Sequence, residues 1–161
     1  RYGLDRLAKD AAAVGIDGCL LIDASVEEAH DYVGAMHQHG LDTVFLAAPT
    51  STERRLKLVA EYSSGFVYLV SRTGVTGERD SLSNSLEPLI KATRAITQLP
   101  LAVGFGISRP EQVAEVAAQA DAVVVGSAIV RVIEKHASSP NLPGELESFV
   151  RHLRGGLGAH A

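Results

Sequence analysis

Leu101-Ala-Val-Gly-Phe-Gly-Ile-Ser108 is an apolar strand that runs into two glycines and a helix start, and Ala122-Val-Val-Val-Gly-Ser127 repeats the arrangement further along the chain. Glycine lets backbone N–H groups approach an anion closely, and the first N–H groups of a helix carry partial positive charge. Two such loops side by side therefore form a phosphate cradle without needing a lysine. In a (β/α)8 barrel this device follows the last two strands and ends on a short extra helix. The plainer reading leaves Gly104, Gly106 and Gly126 only the task of turning a strand into a helix.

Outward from this pair, the chain alternates short apolar runs with amphipathic stretches. Gly18 to Ile22, closed by Asp23, Thr43 to Ala48, closed by Pro49, and Gly65 to Val70 read as three more strands. Ser25 with Glu28, Thr50 with Glu53 and Ser108 with Glu111 read as capping boxes that open the helices between them. Arg1 to Gly15 is a leading helix stopped by glycine. Leu86, Leu89, Ile90, Thr93 and Ile96 mark another, with Pro88 in its first turn, and Leu146, Phe149, Val150 and Leu153 a terminal one. The tail 155–161 is expected to fray. Ser71 to Asn84 is polar, contains glycine and lacks apolar periodicity, the pattern of a mobile lid over a site.

Composition bounds the function. The 161 residues suit one domain, and a formal charge of −4 offers no basic field for nucleic acid. No apolar run approaches the about eighteen residues that span a bilayer, so no membrane is expected. Cys19 is the single cysteine, which excludes an internal disulfide and suits a reduced cytoplasm. His37 and His39, two apart near a helix end, do not share a helical face, and His30, His136, His152 and His160 stand alone. No metal site is expected.

Continuous apolar strands suit a parallel sheet covered on both faces. An open, doubly wound sheet would fit the length, but its phosphate loop follows an early strand. Here the glycines follow the last two, which favours a (β/α)8 TIM barrel. Such a barrel takes eight strands and about 250 residues. The chain thus reads as an incomplete α/β barrel of five parallel strands with their helices, and its three earlier strands are expected upstream of Arg1.

Tyr68-Leu-Val-Ser-Arg-Thr-Gly-Val-Thr-Gly77, Val103-Gly-Phe-Gly-Ile-Ser108 and Gly126-Ser-Ala-Ile-Val130 together resemble the tryptophan synthase alpha chain family, in order and at compatible spacing over nearly the whole chain. The resemblance implies a (β/α)8 barrel, of which this chain carries strands four to eight. It implies a lyase of tryptophan biosynthesis that cleaves indole-3-glycerol phosphate by a retro-aldol reaction, giving indole and glyceraldehyde 3-phosphate. Indole then passes to a beta chain, the hetero-oligomeric partner and the only bearer of pyridoxal phosphate; no cofactor is implied for this chain.

Carried over residue by residue, the resemblance assigns Gly77, Gly104, Gly106, Gly126 and Ser127 to the phosphate. Phe105 packs on the indole, Tyr68 lines the pocket, and Thr76 positions a catalytic carboxylate when the lid closes. Asp23 and Pro49 face the beta chain. Asp23 is followed here by Ala24-Ser25, where the family carries an apolar residue and proline.

The family's two catalytic carboxylates come from its second strand and the following loop, so none is expected in this chain. Cleavage needs one proton delivered to the indole ring and another removed from the glycerol hydroxyl, which only positioned carboxyl groups supply there. Glu27 and Glu28 read as helix-start residues and Asp80 as a lid-surface residue rather than as substitutes. Arg72 and Arg79 flank the lid glycines as either phosphate contacts or exposed loop arginines.

Two other functions fit the residues: a non-catalytic fragment that binds phosphate or a partner, and another phosphate-binding barrel such as an isomerase or aldolase. Schiff-base chemistry is disfavoured, because Lys9, Lys57, Lys91 and Lys135 all fall in helical stretches. If the lid reading holds, limited trypsin digestion of the free protein cuts first at Arg72 or Arg79. Equal resistance at both sites and elsewhere would count against it.

Overall fold

The computed structural model describes residues 2–70, 82–104 and 106–158, with 82–85 as backbone only. Five strands, β1 (Gly18–Leu20), β2 (Asp42–Ala47), β3 (Val67–Val70), β4 (Leu101–Gly104) and β5 (Ala122–Val124), form one sheet in the order β1-β2-β3-β4-β5. Every neighbouring pair is parallel. A doubly wound sheet reverses its strand order at a switch point. This one adds each strand on the same side as the last, the winding of a barrel, and the chain is a partial TIM barrel.

Helices α1 (Leu4–Ala13), α2 (His30–Gln38), α3 (Glu53–Tyr62), α4 (Leu82–Arg94), α5 (Pro110–Ala117), α6 (Ser127–His136) and α7 (Leu142–Arg154) accompany the strands. The core lies between sheet and helices. Phe45 of β2 is edge-on to Tyr32 of α2 at 6.1 Å and tilted against Tyr62 of α3 at 6.3 Å. Beside it the buried Thr43 hydroxyl donates to the Tyr62 carbonyl. Tyr32 donates to the Cys19 carbonyl at 3.0 Å, and burial pushes its phenol up to about 12.

The alternation along each strand shows which face is covered. Val67 and Leu69 are buried on the helix side of β3, whereas Tyr68 and Val70, on the other side, are half-buried. Register aligns Leu46 with Tyr68, Tyr68 with Ala102 and Ala102 with Ala122, so these residues share the inner face. Continuous apolar runs thus encode two packed faces, of which the helices cover one.

Several helix starts depart from the sequence expectation. The capping residue of α3 is Thr52, not Thr50: its hydroxyl accepts from the Arg55 N–H at 3.3 Å. Ser25 caps a separate 3-10 turn, Val26–Glu28, by accepting from the Glu27 N–H at 3.4 Å, and α2 begins only at His30. Pro88 is inside α4 rather than in its first turn, because the helix starts at Leu82. The missing N–H removes one helical bond, and the buried Leu86, Leu89, Ile90 and Thr93 carry the helix across it.

Residues 82–84 of the expected lid are therefore the start of α4, while 71–81 lie outside the described residues. Of the expected fraying tail, Gly155–Leu157 forms a 3-10 turn packed on α5. A side chain at Gly156 would collide with the Pro110 carbonyl, which makes that close approach possible only for glycine.

The N-terminal ends of the strands are tied by side chains. Asp121, just before β5, accepts from the Leu101 N–H at 2.7 Å and pairs with Arg94 of α4, which also donates to the Leu99 carbonyl at 3.2 Å. The backbone hydrogen bond from Leu101, and then the Arg94 guanidinium, hold the Asp121 carboxyl below its ordinary value.

A depressed carboxylate contributes stability that is present above its unfolded value, about 3.9, and is lost as pH falls through the lower folded value. Asp121→Ala should cost about 1 kcal/mol at pH 7, a figure kept small because the pair is half-exposed and screened. In urea melts the gap between wild type and variant should narrow as the pH falls below about 3.9; an undiminished gap under strongly acidic conditions would refute the clip.

Candidate functional site

Because all five strands are parallel, their C-terminal ends open on one side, and the loops that carry the sequence-assigned residues leave from there. Asp23 follows β1 and Pro49 follows β2, both exposed. Gly106 follows β4, and Gly126 with Ser127 follows β5. Gly104 is the register partner of Val124, so the last two loops leave the sheet side by side. Thr76, Gly77 and Phe105 lie outside the described residues, as do Arg72, Arg79 and Asp80.

Three glycines of the pair are there for three different reasons. At Gly104 a Cβ would sit 2.9 Å from the Tyr68 ring carbon Cζ and 2.9 Å from Val124 Cβ, and it would collide with the Tyr68 hydroxyl. The tyrosine ring lies over the glycine, and packing excludes any side chain. Burial also pushes the Tyr68 phenol above its ordinary value, so its hydroxyl keeps its proton and remains a donor at neutral pH. Gly106 has φ +74°, the left-handed region that glycine alone enters without strain. Gly126 has φ −116° and no atom within 4 Å of where its Cβ would stand. No neighbouring atom demands glycine there; the space above it is open.

The two helix starts differ as well. At α5, Gln112 Oε1 accepts from the N–H groups of Ser108 at 3.0 Å and Arg109 at 3.2 Å, so the helix caps itself. The expected box of Ser108 with Glu111 is thus made by Gln112. Its signal was in the sequence, since Gln112 stands three residues after Arg109, where a capping glutamine belongs. At α6 the first helical bonds run from the N–H groups of Ile129, at 2.9 Å, and Val130, at 3.2 Å, to the Gly126 carbonyl. The N–H groups of Ser127 and Ala128 precede them and have no acceptor within the helix, and no side chain caps this end. α6 thus presents two successive N–H groups beside the open space over Gly126.

Of the carboxylates after β1, Glu27 is held by structural contacts. Glu27 accepts from the Ser25 hydroxyl and pairs with Arg55 at 3.5 Å, and the serine hydrogen bond holds its carboxyl below the ordinary value. A carboxylate kept ionised in this way is a poor proton donor. His37 is engaged with Thr43 at 3.3 Å and His39 with Asp5 at 3.1 Å. Among the described residues no three His, Cys, Asp or Glu side chains come together as metal ligands would, and no helix is long and apolar enough to cross a membrane.

The family model for the tryptophan synthase alpha chain matches residues 1–154. The chain belongs to the tryptophan synthase alpha chain family. It is 73% identical over all 161 residues to the alpha chain of Solibacter usitatus, covering 60% of that protein. It is 48% identical to the alpha chain of Geobacter sulfurreducens over 98% of its own length and 59% of the relative's. Among solved structures it is similar to the tryptophan synthase a2b2 complex of Pyrococcus furiosus, with 36% identity and a TM-score of 0.86 over 96% of this chain and 62% of that one. It is likewise similar to Mycobacterium tuberculosis tryptophan synthase, with 38% identity and a TM-score of 0.83 over 97% of this chain and 57% of that one. The chain thus spans about three fifths of the length of the curated tryptophan synthase alpha chains it matches.

The three glycines make separate forecasts. Gly104→Ala should lower stability by about 1–3 kcal/mol through overpacking against Tyr68 and Val124, and Gly106→Ala by about 1–2 kcal/mol through backbone strain. Gly126→Ala should stay within about 0.5 kcal/mol, as a surface change that meets no neighbour. Urea midpoints measure all three, and a larger loss at Gly126 than at Gly104 would overturn the assignment.

Proposed function

We propose that this chain is the phosphate- and indole-binding part of a lyase that cleaves indole-3-glycerol phosphate to indole and glyceraldehyde 3-phosphate. The observation that carries the reading is Gly126. No neighbour's packing accounts for its residue type, and it stands at an uncapped helix N-terminus beside the Gly104–Gly106 loop, in a chain of this family. The phosphate is held by the N–H groups of Ser127 and Ala128 with the α6 dipole behind them, and by the backbone at Gly106. Gly77 adds to the cradle from the lid.

Tyr68 lines the pocket floor from the inner face of the sheet, and Phe105 stacks on the indole. Thr76 positions a carboxylate that this chain does not itself supply. The acid and base come from the part of the family's length that the chain does not span. By itself the chain binds but does not turn over, because phosphate and ring contacts hold substrate and transition state alike, and only differential stabilisation accelerates a reaction. Asp23 and Pro49, at the same end of the sheet, face a beta chain that carries pyridoxal phosphate and receives the indole in the cytoplasm.

The test has two arms. In a phosphate titration followed by NMR, the amides of Gly106, Ser127 and Ala128 should shift, while those of Ser108 and Arg109, held by Gln112, stay in place. Indole release should be absent with the chain alone and appear when the N-terminal part of a family member is added. Shifts confined to other loops would overturn the cradle; turnover by the chain alone would overturn the division of labour and redirect attention to Asp23, Glu27 and Asp80.

A further inference from the structure

The loop between β4 and α5 is fixed at three points, and one of them is neutral where a charge would hold more firmly. At the start of the loop the Tyr68 ring lies over Gly104, and just past the left-handed turn at Gly106 the Ile107 side chain is buried at 2% exposure. At its end Gln112 Oε1 accepts from the N–H groups of Ser108 at 3.0 Å and Arg109 at 3.2 Å, and lies 3.5 Å from the Ser108 hydroxyl. Gly106 itself stays exposed between these anchors.

The neutrality of Gln112 runs against stability. A glutamate has the same shape and would accept the same two N–H groups. Hydrogen bonds to an ionised acceptor are roughly twice as strong as neutral ones, and a helix N-terminus favours negative charge. The adjacent first-turn position does carry an acid, the exposed Glu111, but the cap is made by Gln112.

Position 112 differs from 111 in reaching back to the loop. Two residues of chain span at most about 7 Å, so an oxygen 3.0 Å from the Ser108 N–H lies within about 10 Å of the Gly106 N–H. A full charge so placed would repel an anion held at Gly106, and would repel a dianion twice as strongly as a monoanion.

We propose that Gln112 is a positioning residue that also sets the charge preference of the site. Its carboxamide holds the 106–109 backbone in the shape that meets a phosphate monoester dianion, and does so without placing a carboxylate beside it. The role rests on the phosphate reading of the two glycine loops. Gln112 acts through the backbone of Ser108 and Arg109 and touches no ligand itself.

Three variants of the 161-residue chain separate shape from charge. Gln112→Glu keeps the acceptor and adds a negative charge. Gln112→Ala removes the acceptor. Gln119→Glu adds the same charge beyond the far end of α5, which closes at Ala117. Urea melts read the cap, and NMR titration with inorganic phosphate at pH 8, where it is mostly the dianion, reads the site.

Gln112→Glu should melt no earlier than wild type, yet bind phosphate ~3-fold more weakly at about 10 mM ionic strength. That gap should narrow below ~1.5-fold at about 0.15 M, where charges this far apart are largely screened. Gln112→Ala should lose ~5-fold in the folding equilibrium and bind more weakly at both ionic strengths. Gln119→Glu should stay within ~1.5-fold of wild-type affinity.

Equal affinity of Gln112→Glu and wild type would overturn the charge preference, as would an equal loss in Gln119→Glu or a loss that salt leaves unchanged. A Gln112→Glu chain that melts earlier than wild type, or fails to fold, would overturn it too, because the carboxylate would then not be the stronger cap. Wild-type affinity in Gln112→Ala would refute the positioning. In all these cases the cradle stands if phosphate shifts the wild-type amides of Gly106, Ser127 and Ala128. Absence of those shifts in wild type would overturn the phosphate reading itself, and the role of Gln112 with it.

Discussion

Each backbone N–H and C=O in a parallel sheet needs a partner on the neighbouring strand, and a singly wound sheet meets that need everywhere except at its two ends. The rest of this structure follows from where those ends fall. β2, β3 and β4 have neighbours on both sides and contain the most deeply buried residues, among them Thr43, Phe45, Val67, Leu69, Leu101 and Val103. Among the described residues β1 and β5 have one neighbour each, and every residue in them keeps some exposure. The inner face is half-covered for the same reason: curvature toward a barrel encloses that face only when the ring of strands is complete.

The two ends of the strands differ in how they are tied. At the N-terminal end the contacts are local clamps: Asp121 on the Leu101 N–H and Arg94, Ser64 on Asp42 at 2.8 Å, and the Asp42 N–H on the Asp17 carbonyl at 2.8 Å. These side chains are held by one another, so the ends they tie have few groups left to offer a ligand. At the C-terminal end the loops after β4 and β5 are short and glycine-bearing, and the start of α6 is uncapped. An uncapped helix start is a modest cost to stability, and it leaves backbone donors aimed at one point in space.

Side chains treat the starts of α5 and α6 differently. Both α5 and α6 follow a strand through a glycine loop, and both looked alike as halves of a cradle. Gln112 turns the start of α5 inward on itself, whereas Gly126 brings no side chain to the start of α6. The Tyr68 ring over Gly104 fills the inner face at the end of β4 and leaves no room for a side chain there.

The amino-acid sequence by itself determined the order of elements, the parallel sheet and the family, because continuous apolar runs, helix periodicity and glycine position are local and survive without the fold. It also marked Gly104, Gly106, Gly126 and Ser127 as one kind of loop. It misplaced the caps of α3 and α5, because Thr50 and Thr52, or Glu111 and Gln112, are equivalent by composition and only the path of the chain chooses between them. It put Pro88 at a helix start, since a proline inside a helix is tolerated only where packing, here by Leu86, Leu89 and Ile90, offsets the lost bond. It read the segment after Gly155 as loose, yet Gly155–Leu157 is docked on α5 through a backbone approach that no local pattern announces. Above all, the different reasons for the three glycines were decided by tertiary structure alone: a ring across the strand at 104, a left-handed turn at 106 and open space at 126 look the same in one dimension, because glycine is defined there by what it lacks.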